Sequence, residues 1–391
     1  MEKENQRETR NRILFSLLFI IDMVAAFGLG WLVHDRLNPS ELALPILARS
    51  YEIIENHGFY ELPPEPSIEY GMIYGMVEAY GDPFTRFVEP PQHELETDTL
   101  SGEYGGIGAT VRISEDNHIL LYPYPGSPAA EAGVLDGDRL IAVEDTEITV
   151  EISLDDVVAM VRGPVGQRVR ISILRPPDDE KLDFNIKRGK IALPSVSWYL
   201  ALDEERLGVI QINLIASTTP DEIKAAVKDL EARGAEKYVL DLRDNLGGLL
   251  TEGTDIAQLF LKDGVIIEQV FSDDSTKEFE VIRPGELSDL EMVVLVNEYT
   301  ASAAEIIAGS IQAHGRAPII GTTTYGKNTV QLVFDLEDGS SLHITSAEWR
   351  LPGLEFPTEN GGLIPETIVP PDAEGVDPAL SIAIQTLFFT E

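Results

Sequence analysis

Three residues in the last third of the chain could together carry nucleophilic chemistry: Ser302, Lys327 and Gln331. In TASAAEIIAGSIQAHGRAPIIGTTTYGKNTVQ, residues 300–331, Ser302 follows the apolar run MVVLV and stands at a helix start. A serine on a strand-to-helix turn is exposed, and the electropositive helix N-terminus can hold an oxyanion on its free N–H groups. The same position suits a Ser302 or Thr300 that merely caps the helix, which is the commoner role. The base decides between the two. His314 lies twelve residues on, at the far end of the same helix, roughly 18 Å away at ~1.5 Å per residue. Lys327 follows the strand APII and the turn GTTTYG, so the chain has length to return to the serine. A lysine base must be neutral. Bringing its pKa from ~10.4 toward ~7–8 costs on the order of 4 kcal/mol, which burial in an apolar pocket supplies. Gln331, four residues on, could orient the amine through its amide oxygen, whereas a carboxylate there would raise the lysine's pKa. A solvated loop lysine is the plainer alternative.

A second candidate is the turn in YVLDLRDNLGGLL, residues 238–250. Gly247 and Gly248 allow positive φ and close approach of another backbone, and their N–H groups near a helix start could face a developing anion. An ordinary strand-to-helix turn would look the same. His343, in SSLHITSAEW, sits in an alternating strand. There a partly buried structural histidine is a simpler account than a Ser–His hydrolase built on His314 or His343.

Composition removes other chemistry. The 391 residues hold 29 Lys+Arg and 67 Asp+Glu, a net charge of −38. That charge repels phosphate backbones and argues against a nucleic-acid partner. There is no cysteine, so thiolate catalysis, disulfides and cysteine metal sites are excluded. The six histidines are scattered without ligand spacing, and neither a metal nor another cofactor is expected.

These residues need elements to position them. ILFSLLFIIDMVAAFGLGWLV, Ile13–Val33, is long enough to span a bilayer, although Asp22 costs roughly 2.5–3.5 kcal/mol near its centre. Lys3, Arg7, Arg10 and Arg12 precede it, which places the N-terminus inside and the rest outside. A cleaved signal peptide fits less well, because VAAFGLGW lacks an A-x-A-like site. The expectation is a single-pass anchor in the cell membrane within residues 1–36, with an extracytoplasmic catalytic part. Amphipathic and helical stretches broken by PPEPS and closed by Gly81-Asp82-Pro83 form a helical region over 37–96. From Glu103 the pattern turns to short strands, with a helix in SLDDVVAMVRG and an alternating strand in RVRISILR, giving a mainly-β unit over 97–188. After Ser195 it becomes α/β. TPDEIKAAVKDLEARG reads as a helix with Thr219 as N-cap, Pro220 at its first position and Ile223, Ala226, Val227 and Leu230 inward. All the catalytic candidates lie in 189–391.

DLRDNLGGLL, TASAAEI and YGKNTVQ, in this order, resemble the carboxyl-terminal processing peptidases, the tail-specific serine proteases of family S41. YGDPFTRFV is similar to their pre-PDZ segment, and the stretch from GGIGATV through GSPAAEAGVLDGDRLIAVED to VVAMVRGPVG resembles their PDZ domain. GGLIPETIV resembles the closing segment of their protease domain. The resemblance implies an α/β protease core of ClpP/crotonase type with an inserted mainly-β PDZ domain and an N-terminal helical region. It implies an endopeptidase that acts on polypeptides with free C-termini. The family's Ser–Lys dyad, assisted by Gln, falls on Ser302, Lys327 and Gln331. Its oxyanion donors fall on Gly248 and Ala303, and its PDZ carboxylate loop on Gly105, Gly106, Ile107 and Gly108. Such a loop can capture a terminal carboxylate while the peptide adds to a strand edge. That function equally suits a catalytically silent PDZ adaptor, which the intact Ser302, Lys327 and Gln331 set argues against. A homo-oligomer or a regulatory partner is compatible with the resemblance. Ala304, Leu246 and Asn328 replace residues common in the family (serine, proline and glycine), and DPFTRF replaces its usual histidine–serine–tyrosine version. Asn328 is expected to keep the turn by taking a positive φ.

Overall fold

Among the described residues proline opens five of the nine helices and left-handed glycine closes two, as the missing N–H of one and the φ freedom of the other dictate. The computed structural model describes residues 44–114, 116–149, 152–356, 361–369 and 377–389. The expected anchor at 13–33 lies outside them. Among the described residues no helix is long and apolar enough to cross a membrane. The chain divides into Met1–Met72 and Ile73–Glu391. In the first unit, α1 (Pro45–His57) starts with proline and exposes Ile46, Leu47, Ile53 and Ile54. Helix α2 (Ser67–Tyr80) begins here and runs into the second unit.

The second unit opens with β1 (Arg86–Val88), α3 (Pro90–Ser101) and β2 (Glu103–Gly106). A small antiparallel sheet follows: β3 (Ala109–Ile113), β4 (Ile119–Pro123), then α4 (Pro128–Ala132), β5 (Asp138–Val143) and β6 (Thr146–Glu147). Helix α5 (Leu154–Val161), β7 (Arg168–Arg175) and β8 (Glu180–Lys187) complete it in the order β3-β4-β5-β7-β8, with β6 on β5. Val169, Ile171 and Ile173 alternate inward along β7 and meet Val157 and Val161, one helical turn apart on α5. Strand β9 (Gly189–Ala192) returns to pair with β2.

The larger α/β part carries β10 (Val196–Leu200), β11 (Leu207–Ile212), α6 (Thr219–Ala232), β12 (Lys237–Asp241), α7 (Leu250–Phe260), β13 (Val265–Phe271) and β14 (Thr276–Glu280). It continues with β15 (Met292–Val296), α8 (Ala303–Ala313), β16 (Ile319–Gly321), β17 (Thr329–Asp335), β18 (Ser341–Arg350), β19 (Thr367–Ile368) and α9 (Pro378–Phe388). One sheet runs β10-β11-β12-β15-β16-β19, parallel except at β10–β11. Its central strand β15 is wholly buried, as a parallel strand covered on both faces requires. A second sheet runs β1-β18-β13-β14, with β17 on the other edge of β18. Ile223, Ala226, Val227 and Leu230 of α6 face inward as expected, but the N-cap is Thr218. Thr219 is buried inside the first turn. Its hydroxyl accepts from Ala216 N (2.8 Å) and bonds Ser195 Oγ (2.7 Å), so it ties loops together instead of capping.

Candidate active site

Strand β15 ends at Val296, and the chain reaches Ser302 after one tight loop. Thr300 is fully buried. Its hydroxyl donates to Leu242 O (2.8 Å) and accepts from Asn297 N (2.9 Å), which locks that loop. Ser302 is the residue before α8 and takes φ 54, ψ −120. A non-glycine residue held there costs of order 1–3 kcal/mol and persists only where its surroundings over-determine it. His314 caps the opposite end of α8, with Nδ1 donating to Ser310 O (2.8 Å), so the helix separates it from Ser302.

Glu305 over-determines the serine. It lies one turn into α8 and is fully buried. Its Oε2 accepts from Ser302 N (2.8 Å) and Lys327 N (2.9 Å); its Oε1 accepts from Gly326 N (2.7 Å) and Thr324 Oγ1 (2.5 Å). Leu363 N donates to Thr324 Oγ1 (2.7 Å), which leaves the threonine proton for the carboxylate. Burial pushes the Glu305 carboxyl upward in pKa, and the four donors oppose that. One acidic side chain therefore fixes the main chain of both the candidate nucleophile and the candidate base. Sequence reasoning gave Glu305 no role. Its spacing three residues after Ser302 is a capping signal, and that was the only one present.

Lys327 leaves this loop toward β17. Its Nζ lies 3.4 Å from Gln331 Oε1 and 4.9 Å from the centroid of the Phe84 ring. Gln331 Nε2 in turn donates to Phe84 O, which fixes the amide with its oxygen toward the lysine. Burial and the nearby Arg86 charge lower the Lys327 pKa, with Asp82 opposing. Asp82 bonds Thr85 Oγ1 (2.5 Å), so the segment before β1 forms a built wall, which sequence reasoning also missed. Among the described residues, Ser302 Oγ and Lys327 Nζ are not hydrogen-bonded to each other; Glu305 joins their main-chain N–H groups. The turn before Lys327 uses Gly326 at φ +93, and Asn328 keeps a negative φ, contrary to expectation.

The Gly247-Gly248 turn comes against the same loop. A Cβ on Gly247 would sit 2.9 Å from Ser302 Cβ and 3.1 Å from Ala303 N, and one on Gly248 would sit 2.1 Å from Ile215 O. Both glycines have positive φ. Gly247 N donates to Asn245 Oδ1 (2.8 Å), while among the described residues Gly248 N and Ala303 N have no acceptor. Buried Asn245 also donates to Ile212 O (2.7 Å) and accepts from Ala301 N (2.9 Å), so it joins the glycine turn to the serine loop.

A model of peptidase family S41 matches residues 206–369, and a PDZ-domain model matches 120–175. The chain is 34% identical over 311 residues to the carboxyl-terminal-processing protease of Picosynechococcus sp., a match covering 78% of this chain and 74% of that protein. The chain belongs to the carboxyl-terminal processing proteases of family S41. It is a serine-type peptidase. It is also 33% identical over 303 residues to carboxy-terminal processing protease CtpA of Bacillus subtilis, across 78% of this chain and 64% of that one. Among solved structures, a photosystem II D1 C-terminal processing protease aligns at 26% identity over 86% of this chain and 90% of its own, with a TM-score of 0.48.

In this processing protease the four residues expected as a carboxylate loop are divided. Gly105 and Gly106 pair with Lys190 and Gly189 in the β2–β9 ribbon, and Gly105 O accepts from Gly163 N (3.0 Å). Ile107 and Gly108 form the turn into β3. Ile107 is buried, and Gly108, at φ +70, leaves no room for a Cβ beside Ser127 (2.6 Å). Among the described residues β3 pairs only with β4, which leaves its other edge unpaired.

Proposed function

We propose that this protease is a membrane-anchored serine endopeptidase of outward orientation that reads free C-termini with its PDZ unit and cuts by a Ser–Lys–Gln mechanism. The core would be of ClpP/crotonase type, preceded by an anchor within 1–36, a helical region to 96 and the PDZ unit to 188. The basic flank and apolar stretch of the N-terminus support the anchor. The unpaired β3 edge beside the Ile107–Gly108 turn supports peptide addition.

One observation carries the chemistry: Lys327 is half-buried, lowered in pKa, and faces an uncharged amide oxygen that Phe84 holds in place. In the proposed reaction Lys327 Nζ takes the proton of Ser302 Oγ as Oγ bonds to the scissile carbonyl carbon. The carbonyl oxygen becomes an oxyanion between the Gly248 and Ala303 N–H groups. Lys327 then gives its proton to the amide nitrogen, and the C–N bond breaks to leave an acyl-serine. Water, deprotonated by the same amine, releases the acid and restores Ser302.

Cleavage of an unfolded test protein, with mapping of the released termini, tests this reading. Lys327→Ala abolishes cleavage, Lys327→Arg fails as well because a guanidinium does not deprotonate, and His314→Ala stays close to wild type. Near-wild-type cleavage by Lys327→Ala overturns the mechanism.

A further inference from the structure

The sheet face that carries Gln331 bears a second polar chain, which meets that chemistry through the charge of Arg86 near Lys327. Arg86 on β1 reaches Nδ1 of His343 on β18 (3.3 Å) and holds Glu96 of α3 with both arms (2.9 and 2.7 Å). His343 Nε2 lies 3.1 Å from Ser341 Oγ, Ser341 Oγ lies 2.9 Å from His93 Nδ1, and His93 Nε2 lies 3.0 Å from Asp335 Oδ1. The donor types fix the protons. A guanidinium only donates, so His343 Nδ1 is an acceptor and the ring is the neutral Nε2–H form. It donates to Ser341, Ser341 donates to His93, and His93 donates to Asp335. Ser341 and His343 are both buried.

His343 is faced by Arg86 from β1, Glu96 and His93 from α3, Asp335 from β17 and Ser341 on its own strand. A proton on Nδ1 would remove the acceptor of Arg86 and set two cations 3.3 Å apart. Burial and Arg86 hold the proton affinity of His343 below its usual value, with Glu96 opposing. Strand β1 meets β18 at three positions only, and Arg86 opposite His343 is one of them. Two residues earlier stands Phe84, whose carbonyl holds Gln331 and whose ring faces Lys327.

We propose that Arg86 and His343 are positioning residues forming a proton-sensitive clasp. With His343 neutral the clasp keeps β1 on β18 and Phe84 against Lys327 and Gln331. Protonation of His343 opens it, so that proteolysis falls in acid through a second proton besides the one on the lysine. The effect on cleavage rests on the Ser–Lys reading; the opening of β1 does not.

Hydrogen exchange at residues 84–88, corrected for intrinsic rates and measured at about pH 7.5 and about pH 5, tests the clasp in the wild type and in His343→Gln. Glutamine can accept from Arg86 and donate to Ser341 but does not titrate. The wild type loses roughly tenfold or more in protection at the lower pH, the scale of one charge-assisted hydrogen bond, and His343→Gln holds its protection. In the same pair the acid limb of log kcat/KM steepens toward a slope of about 2 in the wild type and stays at about 1 in the variant. Equal loss of protection in both proteins overturns the clasp whatever the activity shows, and identical limb slopes overturn its link to the base. Should His343→Gln fail to fold, Arg86→Gln replaces it: without the cation, acid no longer changes protection, and a loss of wild-type size overturns the proposal.

Discussion

Replacing Glu305 by glutamine removes one acceptor and one charge with almost no change of shape. The amide has two orientations. With its nitrogen in place of Oε2 it meets the N–H groups of Ser302 and Lys327, two donors that cannot turn away. With its nitrogen in place of Oε1 it meets Gly326 N–H and Thr324, whose hydroxyl can rotate to accept. The second orientation is cheaper and still leaves the Gly326 N–H without an acceptor in a buried site. That loss is worth about 1–3 kcal/mol. If the strain appears as displacement of Lys327 it costs roughly 5- to 150-fold in rate, at 1.36 kcal/mol per tenfold. The expected result is therefore a fall in kcat of that size with KM little changed, since Glu305 is fully buried. Steady-state cleavage of an unfolded protein with a free C-terminus measures it, with thermal unfolding alongside to show that the variant folds. A folded Glu305→Gln enzyme with kcat within about threefold of wild type would refute the assignment of Glu305 as the support of the serine and lysine loops.

Gln331→Glu puts a carboxylate 3.4 Å from Lys327 Nζ and favours the protonated amine. Under the proposed Ser–Lys mechanism activity appears as pH rises through the folded pKa of Lys327, so the acid limb of kcat/KM should move to higher pH; an unmoved limb would disconnect Gln331 from the base. Amidating the C-terminus of a peptide substrate removes a charge-assisted hydrogen bond worth about 1.5–3 kcal/mol, and roughly 10- to 150-fold in kcat/KM should go with it. Equal cleavage of free and amidated tails would rule out carboxylate recognition.

Much of this was legible where a local pattern and a long-range requirement coincide. The buried run MVVLV, the serine after it and the helix beyond form one contiguous signal, and β15, Ser302 and α8 follow it. The inward face of α6 was legible from its period alone. What escaped was non-local. Arg86–Val88 is too short to show a strand period and exists because β18 pairs with it. The hairpin of β13 and β14 belongs to the same sheet and was likewise unseen. Phe84 reads as one aromatic in a loop until 247 residues of chain bring Gln331 to its carbonyl. The division of the expected carboxylate loop has the same origin: Gly105 pairs because β9, far along the chain, comes back beside it.

The site tolerates unusual residues because main-chain groups hold it. The glycine turn, the serine loop and the lysine loop are joined by Asn245, by Glu305 and by the bond from Tyr325 N to Thr300 O (3.0 Å). Side-chain identity then matters only where a side chain accepts from these amides or where a Cβ has no room. Ala304 meets neither condition, since it is packed wholly inside the core. Leu246 is largely exposed between Asn245 and Gly247, and the hydrogen bonds of Asn245 to Ile212 O and from Gly247 N hold the turn around it. Asn328 contributes its carbonyl to Trp349 N (2.8 Å), a bond any residue could make, while the left-handed residue of this turn is Gly326. Gly326 lacks that freedom: a Cβ would lie 2.8 Å from the Gly361 backbone. The constraint follows backbone geometry, and it is strictest at glycine and at the buried acceptors.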